Sequence, residues 1–291
     1  MPNVLDLRRR IRSVKNTQQI TRAMKMVAAA RLRRAQERVV NARPYAAQML
    51  SVLGRVAARV ASGDQPDEPL HPLLAERPAK RILLVLITAD RGLCGAFNTN
   101  LIRAAQGYLA RHQSEEVSLI AVGRKGRDFF RKHQVTLRGD YVNLFNRLEF
   151  SQAQEIAGQI IKLYTTESID AVDFIYNEFK SILAQRLTVE RYLPIKPITP
   201  PEGQAVIDYI YEQSPQESFN SLLPRYVETQ VYRALLESQT AEFAARMTAM
   251  DAATKNAGDL IDSLTRYLNR VRQAAITKEI IEIVSGASAQ G

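Results

Sequence analysis

An apolar repeat spaced alternately by three and four residues runs through both ends of this 291-residue chain. In the first 60 residues it reads Val4, Leu7, Ile11, Val14, then Ala28, Leu32, Ala35, Val39, Ala42, Ala46, Met49, Leu53, Val56 and Val60. It recurs as Leu236, Phe243, Met247, Met250, Ala257, Ile261, Leu264, Leu268, Val271 and Ala275. A mean spacing of 3.5 residues over so many heptads specifies a supercoiled helix seam rather than an ordinary amphipathic helix. The first seam lapses at Gln18, Thr21 and Lys25, where Ile20, Met24 and Val27 form a neighbouring stripe. Pro44 should bend or open the first helix near Asn41. The stretch SGDQPDEPLHPLLAERP (62–78), dense in proline and acid, then ends it.

Between Gln216 and Gly286 the only proline is Pro224 and the only glycine Gly258. Roughly 70 helical residues would extend on the order of 100 Å, too far for the remaining body of the chain to cover. The natural partner is the other heptad helix, giving an antiparallel two-helix coiled coil. Aligning the two seams places paired positions at sums of about 270–277, with Leu7 beside Leu264 and Ile11 beside Ile261.

Residues 80–212 have a different pattern. KRILLVLIT (80–88) and VSLIAVG (117–123) are continuous apolar runs, as in strands buried on both faces. DAVDFIYNEF (170–179), RLTVERYLP (186–194) and AVIDYIY (205–211) alternate more, as strands nearer an edge do. Helical patterns separate them at 100–113, 125–133 and 151–167. Strand and helix in turn imply a Rossmann-like α/β domain of about five mainly parallel strands, inserted between the two coiled-coil helices. The expected organisation is therefore an N-terminal coiled-coil helix (1–60), a linker (61–79), an α/β domain (80–212), and a C-terminal coiled-coil helix and tip (216–291).

Charge narrows the partners. Residues 1–60 hold 14 Lys/Arg against Asp6 and Glu37, a net +12 out of +10 for the whole chain. Residues 217–286 hold 8 basic and 9 acidic side chains, so the two helices complement one another. A basic-zipper grip on DNA fits poorly, because the apolar seam continues through RRRIRSVKNTQQITRAMKMVAAARLRRAQER (8–38) instead of forking away from it. No run of 18 apolar residues exists, so no transmembrane helix is expected. The basic N-terminus lacks an apolar signal core and reads as unprocessed. The single Cys94 excludes an internal disulfide.

Chemistry-bearing motifs are sparse. TADRGLCGAFN (88–98) follows a strand and precedes a helix, where phosphate loops sit, but its Gly92 and Gly95 make neither a dinucleotide nor a Walker motif. A tight turn using glycine freedom is the plainer reading; a nucleotide-binding α/β protein with a coiled-coil arm is the alternative. His71, His112 and His133 are scattered, without metal-ligand spacing. No catalytic set, cofactor site or metal site can be nominated, and the chain is expected to be non-catalytic. The C-terminal ITKEIIEIVSGASA (276–289) spreads Ile276, Ile280, Ile281, Ile283 and Val284 around most of a helix. A helix end apolar on all sides should be buried on all sides, and the chain has nothing left to cover it. A tip inserted into a sleeve made by other chains is expected.

That C-terminal stretch, together with NTQQITRAMKMVAAARLRRAQ (16–36), TADRGLCGAFN, PRYVETQVYRALLES (224–238) and AARMTAMDAATKNA (244–257), resembles the gamma subunit family of the F-type ATP synthases, in order and over essentially the whole chain. The resemblance implies a central rotor shaft without a catalytic site or cofactor. It turns within a ring of alpha and beta subunits and stands, with the epsilon subunit, on the membrane c-ring. It would thereby couple proton flow to ATP synthesis or hydrolysis. By position in the matching motifs, Arg272 and Gln273 would meet a polar loop of beta. Met24 and Arg246 would lie near its acidic lever segment, and Thr277 and Glu279 belong to the same coupling stretch. The resemblance further implies a peripheral location on the cytoplasmic face of a bacterial inner membrane, with no nucleic-acid partner and no direct membrane insertion.

Overall fold

The computed structural model describes residues 4–61, 71–133, 135–195 and 214–288. Two helices dominate: α1 (Val4–Ala61) and α5 (Pro215–Ser288). Pro44 lies inside α1 and Pro224 inside α5, and each helix continues past its proline. The chain forms two compact units, residues 1–29 with 246–291, and residues 30–245. Both helices contribute to each.

The unit of residues 30–245 is built on a five-stranded sheet. Its strands are β1 (Arg81–Ile87), β2 (Glu116–Val122), β3 (Leu137–Tyr141), β4 (Ala171–Phe179) and β5 (Gln185–Leu193). The order is β3-β2-β1-β4-β5. β1 pairs in parallel with β2 and β4, and β2 with β3, whereas β5 runs antiparallel to β4. Crossovers are made by α2 (Phe97–Arg111), α3 (Arg124–Phe130) and α4 (Phe150–Thr165). A mixed five-strand sheet between long terminal helices is the fold class the sequence implies. One strand differs: β3 was not expected, because LRGDY has neither an apolar run nor a clean alternation and is held at the edge by backbone pairing to β2. The expected strand at 205–211 lies outside the described residues.

The continuous apolar runs have the expected cause. Ile82, Leu84 and Leu86 of β1 face one layer, where Phe97, Leu101, Ala105 and Tyr108 of α2 and Phe130 of α3 cover them. Leu83, Val85 and Ile87 face the other, against Ile156 and Ile160 of α4, Leu53 and Val56 of α1, and Val231 and Leu235 of α5. Both faces are dry, so polar exceptions need partners. Asp170 accepts from the Arg81 backbone N–H and from its guanidinium, and Asp173 accepts from Arg191 at 2.6 and 2.9 Å and from the Tyr108 hydroxyl. Burial, and next the hydrogen bond to Asp173, push the Tyr108 phenol far above its ordinary value. α5 residues 234–244 are all buried, since sheet-covering residues and α1 enclose that stretch from different sides.

The unit of residues 1–29 and 246–291 is a helix pair with one seam. Leu7, Thr21 and Ala28 are buried on α1, and Met250 and Ala257 on α5. Val4, Ile11, Val14, Gln18 and Lys25 are half-buried at the intervening heptad positions. The seam therefore does not lapse at Gln18, Thr21 and Lys25; polar side chains occupy it. Ile20 and Val27, the neighbouring stripe, are exposed.

Candidate partner interface

Polar contacts across the helix pair set its register. Lys25 Nζ lies 2.6 Å from Asp251 Oδ1. Thr254 donates its hydroxyl proton to Thr21 Oγ1 at 2.8 Å, or to the Met250 carbonyl at 2.7 Å. Gln18 Nε2 donates to the Thr254 carbonyl at 3.4 Å. The residue numbers of the three cross-helix pairs add to 276, 275 and 272, inside the range expected from the seams, and their near-constancy makes the pair antiparallel. Gly258 suits its place: a Cβ there would come within 3.1 Å of Gln18 Nε2. Beside it Lys15, Gln18, Gln19, Gly258, Ile261 and Asp262 line an open groove of about 400 Å³.

At that register Val4, the first described residue of α1, falls opposite the stretch just before Gln273. Beyond it no described residue of α1 lies beside α5, and residues 276–285 are exposed. Ile276, Ile280, Ile281, Ile283 and Val284 are 47, 56, 58, 71 and 59 % exposed. At 3.6 residues per turn these five side chains form one stripe over a little under half of the circumference, opposite the Lys278–Glu282 ion pair. The helix end is therefore amphipathic rather than apolar on all sides, and an exposed apolar stripe is a surface of the kind that marks a protein contact. Arg272, Gln273, Thr277 and Glu279 are exposed on the same segment, with the Thr277 hydroxyl donating to the Gln273 carbonyl at 2.9 Å. Met24 and Arg246 are half-buried. The structure thus gathers Arg272, Gln273, Thr277, Glu279 and the five apolar residues on one helix end, and leaves Met24 and Arg246 well away from it along their helices.

At the start of α3 the backbone donors are taken within the protein. After β1, Thr88 accepts at Oγ1 from the Gly126 N–H at 2.8 Å, and the Ala89 carbonyl accepts from Lys125. Asp90 Oδ1 accepts from the backbone N–H groups of Arg124 and Asn143 at 3.1 and 2.9 Å. Asn98 Oδ1 accepts from Ala89 N–H. The amides that would cradle a phosphate at the start of α3 are already bonded to Thr88, Ala89 and Asp90. Gly123 sits at φ 92°, where a Cβ would overlap the Thr88 carbonyl, so glycine serves backbone packing here. Among the described residues no group of three or more His, Cys, Asp or Glu could hold a metal ion, and no helix is long and apolar enough to cross a membrane.

The sequence profile of a family described as ATP synthase matches residues 3–290. The ATP synthase gamma chain of Solibacter usitatus is 55% identical over 289 residues, covering 99% of each chain. This chain belongs to the ATP synthase gamma chain family. The gamma chain of Pelotomaculum thermopropionicum is 52% identical over 290 residues, again covering 99% of each chain. Among solved structures, the central stalk and c-ring of the Tetrahymena thermophila mitochondrial ATP synthase contains a chain of 29% identity and TM-score 0.61, aligned over 80% of this chain and 99% of that one. A chain of the Euglena gracilis mitochondrial ATP synthase shares the fold at 23% identity and TM-score 0.66, over 99% and 94% of the two chains.

Two features of this gamma chain escaped sequence reasoning. The polar seam at Gln18, Thr21 and Lys25 reads as a lapse, because heptad reading counts apolar residues only. Its signal was available: uninterrupted helical residues at heptad spacing on either side. The buried Glu237, discussed below, had no local signal at all.

Proposed function

We propose that this chain is the central rotor shaft of an F-type ATP synthase, coupling proton flow through a membrane c-ring to ATP synthesis or hydrolysis in a ring of alpha and beta subunits. The observation that carries the reading is membership of the gamma chain family, joined to the exposed apolar stripe at Ile276, Ile280, Ile281, Ile283 and Val284. In this reading the bare end turns in the sleeve of the head, and Arg272 and Gln273 meet a polar loop of beta. Thr277 and Glu279 extend that contact, while Met24 and Arg246 face beta's acidic lever. The α/β unit, with the epsilon subunit, stands on the c-ring. The chain performs no catalysis of its own and is peripheral to the cytoplasmic face of a bacterial inner membrane. An asymmetric helix end presents different faces to chemically identical beta subunits, so each adopts a different conformation at one moment. Exposed, weakly held contacts suit this work, because every one must break at each step.

Assembly tests the reading. A tagged chain expressed in its native host should copurify with alpha, beta and epsilon subunits and the c-ring. Arg272→Ala with Gln273→Ala should leave the helical circular dichroism of the isolated chain unchanged while lowering ATP synthesis by the assembled enzyme. Copurification with none of these subunits, or ATP turnover by the isolated chain, would overturn it.

A further inference from the structure

Glu237 of α5 is only 1% exposed, within the stretch 234–244 that is buried throughout. Its carboxylate oxygens go to two different elements. Arg43 of α1 donates from Nη2 to Oε1 at 3.1 Å, and the backbone N–H of Phe179, at the end of β4, donates to Oε2 at 3.1 Å. A buried carboxylate is costly unless its charge and its lone pairs are both matched, and here a cation and a backbone donor match them. Glutamine would still accept from Phe179, but it would offer Arg43 no charge.

Other polar contacts bind the same parts. Arg38 of α1 donates from Nη2 to the Leu148 carbonyl at 2.5 Å and to the Tyr232 hydroxyl of α5 at 2.8 Å. Gln239 of α5 donates to the Phe145 carbonyl at 3.0 Å. The apolar contacts of α1 with the core here run through Val39, Met49, Leu53 and Val56. Apolar contact resists separation but is non-directional; it opposes the turning of one smooth helix on another only weakly. Charge-assisted hydrogen bonds depend on angle and distance, so they oppose that turning directly.

We propose that the Glu237–Arg43 pair, seconded by Arg38, is a torsional tie that keeps α1 from turning against α5 and the sheet while torque passes through this unit. Glu237 is thereby a positioning residue for energy coupling, a role that rests on the rotor reading above. The tie is needed under load and dispensable without it.

The test is the complete ATP synthase in proton-tight vesicles, carrying Glu237→Gln or Arg43→Gln. Each preparation is assayed for ATP hydrolysis with the gradient collapsed by an uncoupler, and for ATP synthesis driven by an imposed gradient. Uncoupled hydrolysis should stay within about twofold of the unaltered enzyme, while synthesis falls by about fivefold or more, the lower end of measured coupling effects. Arg43→Lys, which keeps the charge, should restore most of the synthesis. An equal fall in both activities would mean only that less enzyme assembled, and no change in either would mean the pair bears no load; both outcomes overturn the tie. Should Arg43→Gln, which leaves the buried carboxylate without its cation, fail to assemble, Glu237→Gln decides by the same ratio, since the Arg43 side chain left behind is 51% exposed and water can solvate it. If the unaltered chain itself supports no synthase, the rotor reading has failed instead.

Discussion

The two units of this molecule satisfy their apolar residues in opposite ways. In residues 30–245, both faces of β1 are covered, and buried carboxylates such as Asp170, Asp173 and Glu237 each have an arginine partner. In residues 1–29 with 246–291, a single seam is buried, its centre is polar, and five large aliphatic side chains at the end of α5 stand in water. The first unit buries the apolar runs of β1 between its own helices. The second leaves an apolar stripe at the end of α5 exposed.

The comparison predicts unequal responses to substitution. The largest belongs to Gly123→Ala, which places a Cβ against the Thr88 carbonyl at a positive φ and should lower stability by about 3–4 kcal/mol. The urea midpoint of the isolated chain measures it, and a loss within error would mean that the strand ends are loosely packed.

Asp170→Asn comes next, at about 1.5–3 kcal/mol near neutral pH. Hydrogen bonds from the Arg81 side chain hold the Asp170 carboxyl below its ordinary range. A folded-state value below the unfolded one contributes stability that is present above the unfolded value and lost as pH falls through the folded one. The gap between the two proteins should therefore close below about pH 4, the ordinary range of a free aspartate. A gap independent of pH would assign the loss to packing rather than to charge.

In the helix pair the effect should change sign. Thr21→Leu with Thr254→Leu replaces a polar layer by an apolar one, which should raise stability by the order of 1 kcal/mol while relaxing the register that polar seam positions enforce. Cysteines report it: Leu7→Cys with Leu264→Cys, in a Cys94→Ser background, should form one disulfide on mild oxidation. Bridging needs Cα atoms within about 7 Å, and a slip of one heptad moves them roughly 10 Å. In the leucine variant, cysteine at 257 or 271 should compete for the same partner. Efficient bridging of position 7 to position 278 would instead show the pair closed to its end, and the contrast between the units would collapse.

The smallest effect is expected at the bare end. Ile280→Ser with Ile283→Ser should move the isolated chain's stability by less than about 0.5 kcal/mol, yet reduce recovery of assembled enzyme. A marked destabilisation of the isolated chain would mean that the helix end is buried within it.

Much of this was legible in the residues. Continuous apolar runs located β1 and β2, alternation located β4 and β5, and the heptads gave the helix pair together with its register, because helix and strand periods are properties of neighbouring residues along one chain. The apolar residues at the end of α5 were legible for the same reason, although they cover one side of the helix rather than all of it. Three things were decided only by the tertiary structure. β3 is an edge strand whose LRGDY carries no pattern and is held by the backbone of β2. Thr21 and Thr254 each look like a break in a seam until the facing helix supplies the other. Glu237 is one acid among many on a long helix until Arg43, from 194 positions earlier, and the end of β4 meet it in the core. Periodicity is local, so a sequence displays it; the partner that makes a buried polar group affordable comes from a distant part of the chain, and only folding brings it there.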